Sequence, residues 1–263
     1  MRNLNLHAGG DLQTRDQLAT LLYPEPQGSR HVIRPFLEDI LLLDSALDEY
    51  GYRITDEAIG VKFNAENQAS QFFGALEVRP KALEGEYIPA DGKSLVVGIR
   101  GSSDQSLTRG IVAGSNVFVC SNLAFSGELT NVSTKQTLNI NDRIEGLVRE
   151  AISKLPQEAA LEDKRFDAYK NYALSLQNGD ALLIDLVRQN ILNVSDLQLA
   201  IKEWTEPRYE EHLVHGRSIY TLFNAVTEAF KPRGNSGRAN IPGAWNRGLP
   251  LTRYLDKGIG LIH

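Results

Sequence analysis

The sequence predicts an α+β protein: a β-ribbon or antiparallel sheet in the N-terminal half, followed by a helical C-terminal half. Three observations lead there. Before residue 130 apolar residues alternate with a period of two, as in Ile59, Val61 and Phe63. After residue 140 they recur every 3.6 residues, as in Ile144, Leu147, Val148, Ile152 and Leu155. Between these regions lies the weakly charged block SLVVGIRGSSDQSLTRGIVAGSNVFVCSNL, residues 94–123, whose only charges are Arg100, Asp104 and Arg109. Two hydrophobic runs joined by glycines and serines read as strands with a polar elbow. The division falls near residue 130, giving a strand-rich part, 1–130, and a helical part, 131–263, which are compatible with one composite domain.

Element by element, residues 11–22 suggest a short helix, and the Pro/Gly break at 23–28 ends it. Pro35 suits the first turn of the next helix, because its missing N–H has no partner there to lose. That helix carries Phe36, Ile40, Leu43 and Leu47 on one stripe and stops at Gly51. Residues 52–63 and 72–78 read as strands, and 80–93 as a charged loop. In the central block 95–99 is a strand, 101–106 the elbow, and 107–120 a return strand with Gly110 and Gly114 as bulge candidates. Asn141 is a plausible N-cap for the first helix of the second half, which Pro156 interrupts. A second helix then runs to Asn178-Gly179; Asp180 caps a third, and Ser195 opens a fourth that ends before Pro207. The late helix SIYTLFNAVTEAFK, 218–231, shows an apolar face of Ile219, Leu222, Phe223, Val226 and Phe230, with Tyr220, Asn224, Thr227, Glu228 and Lys231 opposite. A loop follows, then a short helix near 251–257. There is no internal repeat.

Composition narrows the class. At 263 residues with 42% hydrophobic content the chain can bury a substantial core. Its apolar runs are far shorter than the roughly 20 residues that cross a bilayer, and the N-terminus lacks a signal-peptide core. One cysteine excludes an intrachain disulfide and a multi-cysteine zinc site. The expected location is therefore the cytoplasm of the host cell, with no membrane partner. Charge is uneven. From residue 231 onward six basic residues face one acid, Asp256, so this tail carries +5; the whole chain carries −5, which leaves −10 on the first 230 residues.

No catalytic signature accompanies this layout. Cys120 ends an apolar run with no histidine at a telling spacing, which favours a buried structural thiol. His212 and His215 sit i, i+3 beside Glu210 and Glu211, but HExxH is absent and no third ligand stands at a recognisable spacing. Neither phosphate-loop motif nor GxSxG is present. No cofactor and no metal are expected. Arg100 and Arg109 flank the elbow, where an uncompensated charge is costly. They either pair with Asp104 or, with Ser102 and Ser103, contact phosphate. Arg233, Arg238, Arg247 and Arg253, interleaved with Gly, Asn, Trp245 and Tyr254, suit a phosphate backbone and stackable bases, or else pair with the acidic body. Asn224 and Glu228, i, i+4 on the polar side of the late helix, are a solvated face, a helix–helix contact or a recognition surface.

On these residues the chain resembles the DUF932 group of phage- and plasmid-encoded proteins. The central block is similar at Ser102, Ser103, Asp104, Val119, Cys120 and Asn122, and the late helix at Asn224, Ala225, Thr227 and Glu228. The likeness spans about 94–231; the first ninety residues match only loosely. A histidine often found in the group's Ser/Asp/Gly turn is absent, with Arg100 or Ser103 in its region, so no role of that histidine carries over. The resemblance implies a mobile-element origin without a shared activity, and it adds Asn122 to Asn224 and Glu228 as a recognition surface.

The expected function is non-enzymatic: binding of single-stranded DNA by a homo-oligomer, in its fullest form an annealing protein of recombination. The alternative is an inhibitor or accessory protein whose acidic body engages a host nuclease or defence complex. A third reading, a nucleotide hydrolase, rests on Glu228, His212 and His215 alone.

Overall fold

Alternating β-branched and aromatic residues build the first half. In the computed structural model, which describes residues 10–82, 93–117, 122–124, 132–134, 138–209, 212, 214, 216–230 and 241–261, they form one antiparallel sheet. Its strands are β1 (Asp11–Leu12), β2 (Tyr52–Phe63), β3 (Ala69–Pro80), β4 (Lys93–Ser102), β5 (Arg109–Val117), β6 (Asn122–Ala124) and β7 (Val132–Thr134). They lie in sequence order, and β6 and β7 both pair with the outer side of β5, at opposite ends. The register sets Ile59 beside Gly74, Gly74 beside Ile99, and Ile99 beside Ile111. Because the side-chain period is two, this row lies on the same face as Val61 and Phe72.

Across that face runs α2 (Phe36–Glu49), whose stripe of Phe36, Ile40, Leu43 and Leu47 is buried to the last atom or nearly so. Each such side chain contributes about 1.5–3 kcal/mol by leaving water. Phe36 stacks on Phe72 with ring centroids 4.4 Å apart. Pro35 stands just before the helix and has no side-chain acceptor, so the Tyr23 hydroxyl accepts the Phe36 N–H at 2.9 Å instead. The opposite face of the sheet is buried as well, at Ala58, Phe73, Ala75 and Val96. The helix expected over 11–22 is shorter. Asp11 and Leu12 pair with β2, and Thr14 opens α1 (Arg15–Ala19) in a capping box with Gln17.

The helical half contains α3 (Ile140–Ser153), α4 (Leu155–Asn171), α5 (Leu176–Arg188), α6 (Val194–Thr205), α7 (Ile219–Ala229) and α8 (Ile241–Gly258). Asn139, not Asn141, stands at the N-cap of α3; Asn141 is exposed and accepts from Arg34 at 2.8 Å. The apolar cores divide later than residue 130. Ile144, Val148, Ala151, Ile152 and Leu155 close the first core with α2 and the sheet, and a second core begins at Phe166.

Asn178-Gly179 does not end a helix. The break falls at 172–175, and the Ser175 hydroxyl caps α5 by accepting the Asn178 N–H at 3.1 Å. Gly179 is a packing residue: a Cβ there would lie 2.1 Å from the Trp204 ring. Asp180, expected as a cap, is inside α5, and Val194 opens α6 one residue ahead of Ser195. The late helix α7 departs most from expectation, because it is buried on every side rather than along one stripe. The final helix is longer than 251–257 and passes through Pro250. No helix among the described residues is long and apolar enough to cross a membrane.

Candidate functional site

The elbow between β4 and β5 folds inward. Ser102 and Ser103 are both fully buried. The Ser102 hydroxyl donates to the Leu107 carbonyl and accepts its N–H, each at 3.0 Å. The Ser103 hydroxyl donates to the Ala69 carbonyl, while the Ser103 N–H donates to that of Ser70 at 2.8 Å. Asp104 accepts the Ser106 N–H at 3.0 Å and holds the turn. Both serines are thus spent on backbone and cannot meet a phosphate, contrary to expectation.

Arg109 does not pair with Asp104. Its guanidinium is buried against the Asp39 carboxylate of α2 and also donates to the Arg34 carbonyl. Arg34 in turn bonds Asp39 at 2.8 Å and Glu38 at 3.0 Å. Gly101 makes the passage possible, since a Cβ there would stand 3.0 Å from the Arg109 side chain and 2.8 Å from the Phe72 ring. Burial lowers the Arg109 pKa and the Arg34 charge adds to that, while Tyr23 and Glu38 oppose both. Arg109 is therefore a structural ion pair and not a phosphate contact. Arg100 lies on the opposite face, half-buried beside Phe73, and its pKa is lowered by burial.

The expected recognition surface also turns inward. Asn224 is fully buried and donates to the Tyr220 carbonyl at 2.9 Å. Glu228, 5% exposed, faces Arg208 at 3.5 Å, and Arg208 also binds Glu203 at 2.6 Å. Both residues belong to the second core, because α7 has no solvent side. Asn122 lies in β6 opposite Val117. His212 is buried with its ring 5.4 Å from that of Tyr209. His215, Cys120, Arg233 and Arg238 lie outside the described residues. Among the described residues no group of three or more His, Cys, Asp or Glu side chains could hold a metal ion.

The described part of the cationic tail is a docked helix. Leu251 and Leu255 of α8 enter the second core, and Asp256 accepts from Arg165 at 2.9 Å and from the Tyr169 hydroxyl at 2.7 Å. Arg247 bonds Asp196 at 3.0 Å and lies over the Phe230 ring. It answers an acid of its own chain, so it too leaves the set of phosphate contacts. Arg253 and Lys257, i, i+4, remain on the exposed side of α8.

Beside Lys257 the helices leave an open cleft of about 630 Å³, within the roughly 300–1,000 Å³ of small-molecule sites. Its apolar lining is Leu174, Leu182, Ile219, Leu255 and Ile259. Tyr172, 46% exposed, and Tyr254 add aromatic rings. The polar lining is Asn178, Asp185, Arg188 and Lys257. The Tyr254 hydroxyl donates to one Asp185 oxygen, and burial together with that bond pushes the phenol up to about 12. Neither Arg188 nor Lys257 makes an ion pair with a described residue. Of these groups only Tyr254 and Lys257 figured in the tail reading. The missed signal is a spacing: Asp185 and Arg188 stand i, i+3 on α5, as Tyr254 and Lys257 do on α8.

No family model, no curated protein and no solved structure matches the chain.

Proposed function

We propose that this protein binds single-stranded nucleic acid in the α5–α8 cleft and holds it without making or breaking bonds. The observation that carries this reading is the convergence of Arg188 and Lys257, from two helices, on an open cleft that also presents two tyrosine rings. Cations that track a backbone beside rings that accept a base are how sequence-tolerant single-strand binders work, with each stacked base worth about 1–3 kcal/mol. The interface then lies in the helical half rather than on the ribbon, and the protein is of mobile-element lineage, as the DUF932 resemblance implies.

Anisotropy of a fluorescein-labelled single-stranded oligonucleotide, titrated at 50 and 200 mM salt, tests it. Binding is expected to weaken with salt by about 0.7 log units per log unit for each phosphate held. Arg188→Glu with Lys257→Glu should abolish it while leaving the thermal midpoint in place. Light scattering of the same mixture reads the oligomeric state. No anisotropy change at micromolar protein and low salt rejects the proposal.

A further inference from the structure

We infer that the cleft takes one unstacked nucleotide and selects a base carrying an exocyclic amine (cytosine, adenine or guanine) over thymine. The inference rests on the single-strand reading and adds to it a ligand preference. Asp185 is the deciding group. One of its carboxylate oxygens is occupied by the Tyr254 hydroxyl. The other oxygen makes no hydrogen bond with a described residue, and the side chain lines the cleft.

An ionised carboxylate only accepts hydrogen bonds. Cytosine offers its N4 amine and adenine its N6 amine, while thymine presents the O4 carbonyl at that position. Thymine can offer the carboxylate only its N3–H, which lies between the O2 and O4 carbonyls, so an acceptor faces the carboxylate where cytosine and adenine place an amine. Discrimination therefore comes as much from rejecting thymine as from binding cytosine. Asn178, two turns before Asp185 on the same face of α5, supplies an amide that can serve the ring nitrogen or carbonyl beside the amine. Tyr172 offers its ring to the base, and Arg188 and Lys257 supply positive charge in the same cleft for the flanking phosphate.

The test compares equal-length oligo-dC, oligo-dA and oligo-dT on the full chain, by anisotropy and by competition. Oligo-dC and oligo-dA are expected to bind about tenfold tighter than oligo-dT, the size of one good side-chain-to-base contact. Asp185→Asn, which can donate as well as accept, should erase the preference, so that the three oligonucleotides compete equally for the variant. Equal binding of the three wild-type titrations overturns the base preference and leaves the single-strand reading standing. Absence of binding to all three overturns both. A preference that survives in Asp185→Asn assigns the selectivity elsewhere and also overturns the inference. Should that variant not fold, calorimetry of dCMP against dTMP on the wild type decides, with indistinguishable heats counting against it.

Discussion

Arg109 and Asp39 face each other inside the molecule, 2% and 1% exposed, one on β5 and the other in the first turn of α2. The contact fastens the elbow of the sheet to the helix that covers it. Asp39 is well placed for this, since a carboxylate in the first turn of a helix also meets the positive end of the helix dipole.

Removing one partner of a buried pair leaves the other charge stranded, at a cost of about 3–5 kcal/mol. Asp39→Asn, nearly identical in shape, is expected to lose that much in urea unfolding. Replacing both, Asp39→Leu with Arg109→Met, should recover most of the loss, because an apolar pair of similar volume carries no stranded charge. A loss below about 1 kcal/mol in the single variant would mean the pair is not closed in solution.

Two glycines in helices should respond in opposite directions to alanine. At Gly179 the new methyl would overlap the Trp204 ring, so Gly179→Ala should cost at least about 1–3 kcal/mol through overpacking. At Gly146 of α3 nothing lies within 4 Å of the added Cβ, and the variant should gain about 0.5–1 kcal/mol from helix propensity. Melting curves of the two, recorded together, settle the packing of α5 on α6.

Arg217 closes the C-terminal end of α6. Its guanidinium donates to the Trp204 carbonyl at 2.6 Å and the Thr205 carbonyl at 3.0 Å, and it lies 5.4 Å from the centre of the Trp204 ring. Arg217→Ala should therefore cost about 1.5–3 kcal/mol, as expected for hydrogen bonds from a charged group. Arg217→Lys should restore only part, since an ammonium cannot fork to two carbonyls. Intrinsic tryptophan fluorescence reports both, and equal stability of Lys and Ala variants would argue that packing alone matters.

Tyr254 makes the stability depend on alkaline pH. Its folded pKa is raised, so the folded chain holds the phenol proton after the unfolded chain has lost it. The contribution is complete below about pH 10, the ordinary phenol value, and fades as pH climbs toward about 12. The stability gap between wild type and Tyr254→Phe should shrink from pH 9 to pH 11. A gap that holds constant over this range would mean the phenol is neither buried nor bonded to Asp185 as described.

The two-residue and 3.6-residue periods made the sheet and most helices legible, because core burial dominates there and leaves its mark on the sequence. The α2 stripe of Phe36, Ile40, Leu43 and Leu47 is the clearest case. What misled was polarity read as exposure. Asn224, Glu228, Ser102 and Arg109 looked like surface groups, yet each finds a partner inside. Nothing local announces such partners, which lie up to about seventy residues away along the chain, as Arg109 and Asp39 do. Gly179 shows the same limit from the other side: a breaker by propensity, it is kept within a helix by a ring contributed from Trp204. The cleft was invisible for a related reason, since its walls come from α5 and α8, which lie far apart along the chain.

Closure of the first core by α3 has a consequence for how the chain is made. A ribosome releases the long strands well before Ile144, Val148, Ala151, Ile152 and Leu155, which seal them. Between residues 117 and 155, roughly two to eight seconds of translation at ordinary speeds, the nascent sheet has no cover on that flank. Sticky intermediates on polysomes, and any benefit from a chaperone, should concentrate in that interval.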